Sequence, residues 1–271
     1  MSTAQTTTYE RPPTQDLPAR PVGAWHLTAL HFRYQFLETV RIPIAVIATT
    51  LFPALSLLFF VIPQSELASD PVIASAAAAQ LSVFAIMSVC LFNFGVAIAE
   101  DRATPWDPYL RTLPAGPGPR FTGRLLNGLT FAAMGLVPLL ILAASLTEAT
   151  LPVARIVPAL LAWVATGLPF LGIGLAIGYR LSSKAALAVA NVLLLPMAFA
   201  GGLLLPPELF PGWLEIASRF LPSRAGRDLL VGTVTGESIP LVAVVVLLGW
   251  SVLAVGLAVL AYRRDEGQRF R

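Results

Sequence analysis

The residues best suited to chemistry are few in this chain, and their spacing keeps them apart. His26 and His31, the only histidines, sit five apart, which puts them on different faces of a helix. They read as interfacial polar residues, not as a ligand pair. Cys90 is the single cysteine and lies inside an apolar stretch. It can form no internal disulfide, has no neighbours at metal-site spacing, and reads as a small packing residue. No metal site is expected. No Gly-x-Ser-x-Gly occurs, and Lys184, the sole lysine, is followed by Ala185 where a phosphate-binding loop needs Ser or Thr. With neither a hydrolase nor an ATPase constellation, the chain is not expected to be an enzyme.

Two other segments carry more information. Residues 100–124 read EDRATPWDPYLRTLPAGPGPRFTGR, mixing the acids Glu100, Asp101 and Asp107, the bases Arg102 and Arg111, and the aromatics Trp106 and Tyr109. Such mixtures dock protein partners through a few aromatic anchors ringed by charge; a solvated loop with incidental charges is the other reading. In residues 191–232 an apolar stretch breaks at Gly201 and Gly202 and ends at Pro206 and Pro207. A short amphipathic piece with Phe210, Trp213, Leu214 and Ile216 follows, and Pro222 stops it. This piece is too apolar for a free loop and too interrupted for a full span, which predicts short helices dipping into the outer leaflet.

The elements around these segments are dictated by composition. Hydrophobic residues make up 56% of the chain and charged residues 12%, against about 25% charged in a soluble domain. Six apolar runs, at 42–62, 73–99, 125–146, 156–179, 185–205 and 239–262, each approach the roughly 20 residues needed to cross a bilayer core as helix. None holds an Asp, Glu, Lys or Arg in its interior. Pro53, Pro138, Pro169 and Pro196 fall inside them, which a bundle tolerates when neighbours satisfy the freed carbonyls. Gly174 and Gly178 make a Gly-x-x-x-Gly that permits close helix contact.

Residues 24–41 carry apolar side chains at helical spacing with a narrow polar stripe at Thr28, His31, Gln35 and Glu38, which suits an interfacial helix. Residues 1–22, rich in Pro and Thr, read as a flexible cytoplasmic tail without a signal-peptide core. The expected fold is all-α integral membrane: six transmembrane helices over 23–262, preceded by an amphipathic interfacial helix, with short external re-entrant helices between spans five and six. A basic cytoplasmic tail follows at 263–271.

Orientation follows from the basic residues. With the N-terminus inside, only Arg155, Arg219, Arg224 and Arg227 fall outside, leaving 14 of 18 basic residues inside; the acids split 8 to 7. Both termini are therefore expected in the cytoplasm, and the chain in the inner (plasma) membrane in contact with lipid. Arginines gathered at the ends of apolar runs serve orientation, and no nucleic acid is expected.

The ordered motifs resemble type-2 ABC transporter permeases. Phe199, Gly201, Gly202, Pro207, Phe210, Pro211, Trp213, Leu214 and Pro222 are similar to that family's fifth span and external re-entrant helices. Glu100, Arg102, Trp106, Asp107, Leu110, Arg111 and Pro114 are similar to its cytoplasmic coupling segment, although Thr104–Pro105 stand where a Gly is usual and Pro108 adds a residue. The resemblance implies a transport subunit with no cofactor of its own. ATP and Mg would be bound by two separate ABC ATPase subunits, and a second permease, a copy or a homologue, would complete the complex. It also implies ATPase coupling through Glu100, Asp101, Arg102, Trp106, Asp107, Tyr109 and Arg111. The cargo path between spans two and five would use Phe84, Asn93, Phe94, Asn191, Met197 and Phe199, with core packing as the alternative role for each. The absence of long hydrophilic insertions favours export of a small amphipathic or lipophilic cargo. An ion-coupled secondary transporter or a membrane scaffold is the alternative, the former opposed by the lack of ionisable groups within the spans.

Overall fold

The computed structural model describes residues 23–41, 43–104 and 117–268, and among these it contains helices and connecting backbone but no strand. The helix expected over 24–41 is α1 (Ala24–Val40). It is followed by α2 (Pro43–Phe60), the short α3 (Ser65–Ala68) and α4 (Pro71–Leu91). Asp70 starts α4 firmly: its Oδ1 accepts from the amides of Val72 (2.8 Å) and Ile73 (3.0 Å), and Pro71 fills the first helical position, where no amide is needed. At Phe92–Val96 the helix widens into one π-helical turn, then continues as α5 (Ala97–Ala103). The continuous helix thus passes the apolar run ending at 99 and carries Glu100, Asp101 and Arg102 on its last turns.

After residues 105–116, which lie outside the described residues, come α6 (Pro117–Leu146), α7 (Val153–Arg180) and α8 (Ser183–Ala200). A 3-10 turn (Pro207–Leu209), α9 (Gly212–Ser218) and α10 (Pro222–Thr235) lead to α11 (Leu241–Gln268). Among the described residues, five stretches are long and apolar enough to cross a membrane: Pro71–Ala103, Gly118–Leu146, Val153–Arg180, Ser183–Ala200 and Leu241–Asp265. The run expected at 42–62 forms α2, whose described apolar portion is Leu51–Phe60. Residues 1–22, and so the whole expected tail, lie outside the described residues.

The centre of the bundle is α4. Within the most apolar stretch of the continuous helix Pro71–Ala103, of which α4 is the main part, 83% of residues are buried, against 22% for α8 and for α11. Phe84 packs on Phe52 of α2 with ring centroids 5.0 Å apart, and Trp163 of α7 donates its indole N–H to Ser82 O at 2.9 Å. Small residues let α7 close on the π-helical turn: a Cβ on Gly178 would lie 2.6 Å from Phe94 O and 2.9 Å from Gly95 O. By contrast α8 and α11 turn Val192, Leu195, Phe199, Val252 and Leu253 outward. Apolar surface on that scale makes this an integral membrane protein.

The helix α1 lies against the near end of α6, where Phe36 stacks on Phe131 at 5.4 Å. Partial burial, and then the nearby Arg120 charge, hold the His31 pKa below its ordinary value. At the other terminus the helix does not stop at Tyr262. It continues to Gln268, so the first part of the expected 263–271 tail is helical, and Asp265 within it is buried.

Candidate functional site

The charged end of α5 turns partly into the protein. Arg102 spreads its guanidinium across two neighbours. Nε donates to Asp265 Oδ1 at 3.0 Å and Nη2 donates to the same oxygen, while Nη1 donates to Gly178 O at 2.8 Å and Leu181 O at 3.4 Å. These carbonyls belong to the C-terminal end of α7, where no helical amide remains to satisfy them and a cation is favoured. Asp101 pairs with Arg124 of α6. Ser183, opening α8, donates from Oγ to Ala99 O at 3.1 Å. Four spanning elements therefore meet around two consecutive residues, Asp101 and Arg102, just before the 105–116 segment.

Among the seven coupling candidates, Glu100 is exposed, whereas Asp101 and Arg102 are engaged within the chain. Trp106, Asp107, Tyr109 and Arg111 lie outside the described residues. The sequence did not single out Asp265 as a partner. Its only signal was an acid among the arginines that follow the last apolar run, 163 positions from Arg102.

The six cargo-path candidates do not converge. Phe84 is buried against Phe52, Phe94 is buried against Gly128 of α6, and Asn93 is partly buried in the π-helical turn. On α8, Asn191 is exposed and donates to Leu187 O at 2.8 Å, Met197 is partly buried against the core, and Phe199 is 54% exposed. The span-two group thus packs into this chain's own interior, and the span-five group faces outward or lies beside that interior.

At the opposite end, Gly201 caps α8 and lies against Ser223, while Gly202 turns the chain with φ +74°, a backbone region that favours glycine. A Cβ at Gly202 would also lie 2.6 Å from Pro207 Cγ. Pro211 precedes α9, on which Trp213 is 72% exposed, and Pro222 opens α10 and is buried. The segment is helical, not extended. Along α7, Val234 O accepts from Arg155 Nη1 at 3.0 Å, and Gly226 O accepts from the buried Thr166 Oγ1 at 3.5 Å. Thr166 lies eleven positions beyond Arg155, about 16 Å further along the helix, so α10 descends beside α7 as it is followed back to its N-terminus. Here the structure adds residues the sequence did not flag. Buried Arg227 donates to Gln80 Oε1 at 3.3 Å and to Asp228 at 3.1 Å, and Arg224 holds the other side of Asp228 at 2.9 Å. Gln80 was concealed as the single glutamine in an apolar run.

The sequence is similar to known transporter proteins. The family model described as ABC-2 type transporter matches residues 27–235. Among curated proteins the chain is similar to "Putative transport permease YvfS" of Bacillus subtilis (strain 168), 23% identical over 145 residues. That match covers 53% of this chain and 58% of the relative, so the chain spans little more than half the length of the curated relative it matches. Because the family model runs from within α1 to the end of α10, well over half of the sequence, the chain belongs to the ABC-2 type transporter family.

Proposed function

We infer that this chain is the membrane-spanning subunit of an ATP-driven exporter, energised by two separate ABC ATPase subunits that bind ATP and Mg. The observation that carries the reading is the course of α8. It begins beside Ala99, at the end bearing the charged segment, and finishes at Gly201 against the first turn of α10. One helix thereby links a segment suited to docking a cytoplasmic motor with the helices that close the opposite side. In this reading the chain crosses the membrane six times with both termini cytoplasmic. The segment from Pro207 to Thr235 enters the outer leaflet, since α10 reaches the level of Thr166, well along α7.

A second permease, a copy or a homologue, supplies the other wall of the cargo path. The outward faces of Asn191 and Phe199 suit such a path better than buried Phe84 and Phe94 do. The cargo is a small amphipathic or lipophilic molecule. The test is to co-express the chain with candidate ABC ATPase subunits and purify through a tag on the permease. Co-purification and ATP hydrolysis in proteoliposomes, stimulated by members of an amphipathic ligand panel, are expected. Replacing both Trp106 and Tyr109 by Ala should weaken docking by about 2 kcal/mol or more, roughly thirtyfold in affinity, without lowering membrane abundance. An abundant double variant that binds the ATPase normally would remove the coupling assignment.

A further inference from the structure

We propose that Arg102 is a positioning residue that hands movement of the coupling segment to the last span, through Asp265, and does not itself dock the motor. The proposal rests on the ATP-driven reading above and adds the internal route by which docking is felt.

The guanidinium sits on the last turn of α5, three residues before the 105–116 segment, and its side chain is only 20% exposed. Its fork is already committed: Nε and Nη2 to Asp265 of α11, Nη1 to the terminal carbonyls of α7. Little of it is left to offer a partner. Asp265 is 5% exposed, so this is an enclosed charge pair, in which each member depends on the other to offset its desolvation. A planar, multi-donor guanidinium can hold the carboxylate and the helix-end carbonyls together, whereas an ammonium cannot span both with the same geometry. Beside this joint, Tyr179 of α7 meets Tyr262 of α11 edge-on at 5.1 Å, which keeps the two helix ends in register. On the other side Asp101 is tied to Arg124 of α6. Force applied to residues 105–116 therefore has a direct mechanical path through Arg102 into α7 and α11, helices that also contact α10 at the far side.

The experiment follows amide hydrogen exchange in the lipid-nanodisc complex of permease and ATPase, without nucleotide and after trapping with ATP and vanadate. Wild type is compared with R102Q/D265N, which removes both charges and so leaves no unpaired buried ion. In wild type, trapping should change exchange in Ala97–Ala103 and in the 258–268 end of α11. In the double variant the change at Ala97–Ala103 and the ATP hydrolysis should remain, while the change in α11 is lost. R102K, which keeps the charge but cannot serve both partners, serves the same comparison if the double variant fails to assemble. Equal changes in α11 with and without the pair would overturn the proposal, as would a wild-type response confined to Ala97–Ala103. No wild-type response in either segment would instead overturn the ATP-driven reading on which it rests.

Discussion

Arg227 of α10 donates from Nε to Oε1 of Gln80 on α4 across 3.3 Å, and both residues are buried. This bond joins the helix that follows α9 to the most enclosed helix of the bundle, and Asp228 supplies the compensating charge. Removing one partner should therefore cost more than removing both. Gln80→Leu is expected to destabilise by about 1.5–3 kcal/mol, the usual range for a hydrogen bond to a charged group. Pairing it with Arg227→Met should recover part of the loss. Thermal unfolding of the purified protein checks this; a double variant no more stable than Gln80→Leu would deny the coupling.

Close packing at the π-helical turn gives a second expectation. Gly178→Ala places its methyl near Phe94 O and Gly95 O, so the α7 contact must open, at a cost of about 1–3 kcal/mol. Gly249→Ala on α11 meets open space and should be neutral or stabilising, because alanine is the better helix former. Equal unfolding temperatures for the two variants would contradict the packing account.

The depressed pKa of His31 makes attachment of α1 dependent on pH. The folded protein favours the neutral imidazole, so the unfolded state binds the extra proton first. The stabilising contribution is present above about 6.5, the ordinary histidine value, and is lost as pH falls through the lower folded value. The unfolding temperature should fall between pH 7.5 and 5.5, and His31→Gln should reduce that fall. An unchanged difference would assign the pH effect to other groups.

Orientation can be read directly in intact cells. In a Cys90→Ala background, a cysteine at exposed position 66 should react with an impermeant maleimide, and one at exposed position 103 should not. The positive charge excess on the Arg102 side requires this result. The reverse pattern would invert the topology and move residues 105–116 to the outside.

The sequence by itself determined that the chain is a helical membrane protein, roughly where its apolar helices run, and that they are broken near Gly201 and Pro222. Transfer into hydrocarbon is additive along a chain, so a run of apolar residues, a glycine pair or a proline declares itself without any neighbour. What only the tertiary structure decided is which way each helix faces. In soluble proteins polar stripes mark the outer face, but lipid and protein core are both apolar, so α4, nearly all buried, and α8, mostly exposed, look alike in composition. For that reason Phe84 and Phe199 read as equivalent path residues, although one is enclosed and the other faces outward. For the same reason nothing in the sequence pointed from Arg102 to a partner within the chain. Its partner, Asp265, lies 163 positions away on the last helix, and only the rotation and packing of α5, α7 and α11 bring the two together.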